Sequence, residues 1–104
     1  MRYLLQQAKE LCDSVHARLV VFTIPDKDQL TEHGIKRLNR FVNGSFTFDP
    51  EYPDKQFANM CEEMNIRLIS GYKHLTMQDY KERDGHWNDR GNRKVANIIQ
   101  DHLT

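Results

Sequence analysis

Between residues 3 and 15 the apolar positions Leu4, Leu5, Ala8, Leu11, Cys12 and Val15 recur at three- and four-residue steps, which predicts an amphipathic helix. His16-Ala17-Arg18 then leads into Leu19-Val20-Val21-Phe22-Thr23-Ile24, a run stopped by Pro25. An unbroken β-branched and apolar run predicts a strand covered on both faces, as in a parallel sheet. Residues 26–30 open with cap and turn formers, and Ile35, Leu38, Phe41 and Val42 carry helical spacing past Gly34. Residues 43–53, NGSFTFDPEYP, mix turn formers with Phe46, Phe48 and Tyr52 and predict an irregular insertion. Helical spacing resumes over 54–64 through Phe57, Met60, Cys61 and Met64. Ile66-Arg67-Leu68-Ile69-Ser70 is a second short strand, ended by Gly71. The last pattern is the longest. Trp87, Gly91, Val95, Ile98, Ile99 and Leu103 form one helical stripe, with Asn88 or Asp89 as N-cap. This stripe is expected to bury Val95, Ile99 and Leu103 against the strand at 19–24.

Strand, helical crossover, strand is the βαβ order, so the two strands should be parallel and joined right-handedly. The fold class is therefore α/β, in one domain over residues 1–104. Two strands are few for an open α/β sheet and leave two long edges, so the chain is expected to be part of a larger domain, or to pair with a second copy.

Fifteen Lys plus Arg balance fifteen Asp plus Glu, which gives no global positive field to gather nucleic acid or an anionic membrane. The longest apolar run is far shorter than the roughly 20 residues of a bilayer span, and the first residues lack a signal-peptide core. Cys12 and Cys61 fall within predicted helices without CxxC spacing, and read as free thiols. Asn43-Gly44-Ser45 has the form of a glycosylation sequon, a pattern short enough to recur by chance.

The segment that carries chemistry is Arg83-Asp84-Gly85-His86-Trp87-Asn88-Asp89-Arg90-Gly91, between the second strand and the last helix. Loops at the carboxyl ends of strands are where open α/β folds place their catalytic groups. Residues two apart in an extended stretch share a side, so Asp84 and His86 should face each other, with Gly85 removing a hindering side chain. Asp84 would then fix the tautomer of His86 and stabilise its cation, leaving the second ring nitrogen to take a proton from a hydroxyl. The competing reading of the same residues is a structural hydrogen bond at the start of a helix. Elsewhere, His16, His33, His74 and His102 show no ligand spacing, and a metal site from His74, Asp84 and His86 is disfavoured. The aromatic insertion reads as a satellite cluster, or alternatively as a lid or a sugar-stacking surface. Lys27 and Arg37 read as an ordinary solvated helix face.

The string DGHWNDRGNRKVANIIQDHL at 84–103 resembles the closing sequence block of the SGNH (GDSL-like) hydrolase superfamily. The likeness is nearest the branch of alginate and other polysaccharide O-acetyltransferases, where Asp-x-His-Trp-Asn precedes a last helix. The upstream order of elements fits nearly the whole chain, and the last twenty residues are the specific part. The resemblance implies a flavodoxin-like three-layer sandwich with a parallel sheet, of which this chain is the C-terminal portion. It implies a serine esterase or carbohydrate O-acetyltransferase acting on an ester or O-acetylated carbohydrate without a cofactor, with an extracytoplasmic or periplasmic parent protein. Asp84 becomes the orienting acid and His86 the general base. The family's nucleophile lies in a Gly-Asp-Ser block, which this sequence does not contain. Ser14, Ser45 and Ser70 lack that context, so the chain alone is expected to be inactive. The alternative is a non-catalytic α/β binding or remnant module in which Asp84 and His86 are structural.

Overall fold

The computed structural model of the chain describes residues 1–40 and 49–103. Helix α1 (Arg2–Ser14) leads into strand β1 (Val20–Thr23), a 3-10 turn (Lys27–Leu30) and helix α2 (Glu32–Asn39). Helix α3 (Tyr52–Glu63), strand β2 (Arg67–Ser70), a second 3-10 turn (Met77–Asp79) and helix α4 (Asp89–Leu103) complete the order. The architecture is mixed α/β with a parallel sheet, as the apolar runs predict. Val20 pairs with Arg67, Val21 with Leu68, Phe22 with Ile69 and Thr23 with Ser70.

Alternation along these strands divides the core. Leu19, Val21 and Leu68 pack with Leu5, Cys61 and Ile66 and with the α3 side chains Phe57 and Met60. Phe22 packs with Leu75, Tyr80, Trp87, Val95 and Ile99. Helices α1 and α3 therefore supply one apolar cluster and α4 the other.

The two helices that precede strands end alike. The Ala17 amide reaches the Cys12 carbonyl and the Ile66 amide the Cys61 carbonyl, each at 2.8 Å. The amides of His16 and Asn65 reach Asp13 and Glu62, each at 3.2 Å. His16 and Asn65 take the left-handed conformation, with φ of 59° and 56°. This pair of bonds about a left-handed residue is the Schellman ending, which turns each chain sharply from helix into strand.

Several expectations are corrected. Helix α3 begins at Tyr52, two residues into the predicted insertion, because Pro53 lacks an N–H and suits a helix's first turn. The strands are shorter than their apolar runs, and Ile24 is exposed. Leu103 is 50% exposed instead of buried. A fifteen-residue helix runs about 22 Å whereas a four-residue strand runs about 13 Å, so the end of α4 overshoots the sheet. On α1 only Leu5 of the apolar stripe is buried, while Leu4, Leu11 and Val15 face outward. Phe41, Val42, Phe46, Phe48 and the sequon lie outside the described residues.

Candidate functional site

Asp84 and His86 sit on a short hairpin loop. Its base is an antiparallel bridge between Tyr80 and Trp87, and the Lys81 amide donates to the His86 carbonyl at 2.9 Å. Trp87 anchors the returning arm in the α4 cluster, with its ring edge-on to Phe22 at a centroid distance of 6.3 Å. Asn88 then joins loop and helix. Its Oδ1 accepts from the Gly91 amide at 2.8 Å, which makes Asn88, of the two candidates Asn88 and Asp89, the N-cap. Its amide nitrogen donates to the carbonyls of Gln78 at 2.8 Å and Tyr80 at 3.1 Å. Gly91 is required by proximity: a Cβ there would lie 2.1 Å from the Asp79 carbonyl oxygen.

Within this frame the Asp84 carboxylate meets Nδ1 of His86. The same Oδ1 accepts from the His86 backbone amide at 2.9 Å. The two residues come together through this Asx-type turn and not through the alternation of an extended strand. Gly85 is also not needed for it, because a Cβ at that position would meet nothing within 4 Å and no glycine among the described residues has positive φ. The side-chain bond to His86, then its backbone amide, hold the Asp84 carboxyl below its ordinary range, with smaller help from the charges of His86 and Lys81. With the carboxylate ionised, Nδ1 carries the proton and Nε2 is the acceptor.

The pair is open to water, with 84% of the His86 side chain and 46% of the Asp84 side chain exposed. A cleft of about 490 Å³ runs beside it, lined by Lys27, His33, Arg37, Arg83 and Asp84 among others. Ser14 Oγ donates to the Leu11 carbonyl at 2.6 Å, and Ser70 Oγ to the Asp54 carboxylate, so neither is engaged with His86. Ser45 lies outside the described residues. His74 stands edge-on to His102 instead of joining Asp84 and His86. Among the described residues no group of three or more His, Cys, Asp or Glu side chains is arranged to hold a metal ion. Cys12 and Cys61 are free thiols, and burial pushes the Cys61 thiol up.

Two residues that frame the loop escape the sequence reading. Asp79 is fully buried and receives the Thr76 amide at 2.9 Å and Lys94 Nζ at 3.0 Å. Arg90 Nε lies 3.2 Å from its other oxygen, which has no partner in hydrogen-bond geometry. The Thr76-x-x-Asp79 spacing is a legible capping signature at this position. Lys27, expected on a solvated face, instead donates from Nζ to the carbonyls of Lys81 at 2.6 Å and Glu82 at 2.8 Å. No sequence signal marks it, because its partners are backbone atoms more than fifty residues away. Compared with family models, curated proteins and solved structures, the chain matches none.

Proposed function

We propose that Asp84 and His86 are the acid–base pair of an acyl-transfer site of the SGNH type, and that this chain is the closing portion of a flavodoxin-like three-layer fold. The observation that carries this reading is the Asp84 carboxylate held on Nδ1 of His86, on a loop pinned at both arms. Nε2 of His86 takes the proton of a serine hydroxyl as its oxygen attacks the ester carbonyl. Asp84 stabilises the imidazolium formed, and the proton then passes to the leaving alkoxide. The acyl group goes on to water or to a sugar hydroxyl, and O-acetylated carbohydrate is the substrate class. The exposed stripe of α1 and the edges of the two-stranded sheet, unpaired among the described residues, are where further elements of such a fold would pack.

A second reading has its own observation. The Asp84 oxygen that meets the ring also accepts the His86 amide, so the pair closes the turn whether or not it moves protons. Aryl-acetate hydrolysis by the full-length gene product separates the two. His86→Ala should lower the rate on the order of 10⁴-fold or more if His86 is the base. The 104-residue chain by itself should stay at background. A full-length rate unchanged by His86→Ala would leave the structural reading standing alone.

A further inference from the structure

Loop 81–86 is built from exposed residues, and the pair it carries is as well placed as its backbone. The 3-10 turn after β1 offers a fixed point beside it. Asp26 accepts the Asp28 amide at 2.9 Å while Gln29 Oε1 accepts the Asp26 amide at 2.7 Å, which locks the backbone on both sides of Lys27. From there Lys27 Nζ reaches across to the carbonyls of Lys81 and Glu82. The Lys81 peptide is thereby held from both ends, its carbonyl by Lys27 and its amide by the His86 carbonyl. A parallel tie, from the Tyr80 hydroxyl to the Pro25 carbonyl at 2.6 Å, holds the base of the same arm to the same turn. Hydrogen bonds from an ammonium are shorter and stronger than those between neutral groups, and two convergent carbonyls suit a compact point donor.

We propose that Lys27 is a positioning residue for the Asp84–His86 pair, an ammonium clamp that ties the ascending arm of the loop to the 3-10 turn after β1. Its functional meaning rests on the acyl-transfer reading: the clamp sets where His86 Nε2 points without touching substrate. A general base works only within hydrogen-bond reach of its proton, so a loop free to rock loses rate even with both side chains intact.

The clamp can be read without turnover, by NMR on the full chain. In Lys27→Met, exchange of the His86 amide should quicken on the order of 10- to 100-fold, as expected for losing two charge-assisted hydrogen bonds. Amides within α4 should keep their protection, which checks the fold. The Asp84 titration should move up toward the ordinary carboxylate range as its contact with His86 loosens. Lys27→Arg, whose fork can still donate to both carbonyls, should restore most of both signals. Lys81→Met removes a cation near Asp84 but no clamp, and should leave amide exchange unchanged. A His86 amide and an Asp84 titration unaltered in Lys27→Met overturn the proposal, whatever the ester assay shows. A loosened loop in an enzyme whose rate ignores His86→Ala removes the acyl-transfer reading alone.

Discussion

Helices α1 and α4 carry equally clear apolar stripes, yet the protein uses them differently. On α4 the stripe is covered as far as Ile99: Gly91 and Val95 are buried, Ile98 and Ile99 are partly so, and Leu103 at the end is exposed. The N-terminus of α4 is capped by Asn88 and tied through Lys94 and Arg90 to the buried carboxylate of Asp79. Helix α1 has no side-chain cap, buries only Leu5, and is flanked by hollows of about 240 and 450 Å³. Periodicity reports which face of a helix is apolar. It does not report whether anything lies against that face, because covering is a property of the neighbours. The better covered of the two helices is the one that follows the Asp84–His86 loop.

The largest effect expected from breaking this contrast is at Asp79. Asp79→Ala leaves Lys94 and Arg90 without their carboxylate and empties a fully buried position. A fully buried ion pair costs about 3–5 kcal/mol to break, and because both cations reach water the loss here should be about 2–4 kcal/mol. Burial by itself would raise the Asp79 carboxyl, but the Thr76 amide, Lys94 and Arg90 outweigh it and hold the group below its ordinary value. A depressed carboxylate stabilises above its unfolded pKa of about 3.9, and that stabilisation is lost as pH falls through the lower native value. The gap in urea stability between wild type and Asp79→Ala should therefore stay level from pH 7 to about 5 and close only below about 4. A gap that closes well above that range would mean that Asp79 is not held ionised by its partners.

Next in size is Val95→Ala, which removes two methyl groups at a site 5% exposed, between Leu75, Tyr80 and Trp87. It should cost about 2 kcal/mol in urea unfolding. The loss should fall on the region that supports the hairpin, so exchange of the His86 amide should rise along with it. A cost near zero would show the α4 cluster to be as loosely covered as the α1 stripe.

What the sequence made legible follows the same division. Both strands, their parallel pairing, the Asn88 cap and the meeting of Asp84 with His86 were readable, because each rests on local pattern or on a short spacing. The route to the Asp84–His86 contact was not, since an Asx turn and an extended alternation place residues two apart on one side equally well. The clamp of Lys27 was invisible because a lysine that binds distant carbonyls has the same local sequence as one in water. The start of α3 is not legible because Tyr52 and Pro53 close a segment rich in turn formers, whereas a proline in the first turn is compatible with the helix.

The smallest effect expected is also the one that sharpens the comparison most. Leu11 lies on the outward stripe of α1 and is 68% exposed. A leucine in water before and after folding contributes little transfer free energy, and alanine is at least as good a helix former. Leu11→Ala in the 104-residue chain should therefore change urea stability by no more than about 0.5 kcal/mol. Leu5→Ala, on the same helix but packed with Cys61 and Ile66, should cost about 2 kcal/mol or more in the same experiment. If further elements of a larger α/β unit cover α1, Leu11→Ala in that unit should cost about 2 kcal/mol or more, since the side chain would then be buried on folding. The pair of measurements isolates the covering layer, because the helix and its sequence are the same in both. A penalty above about 1 kcal/mol in the short chain itself would show the stripe to be covered there, and a midpoint that rises with protein concentration would identify a second copy as the cover.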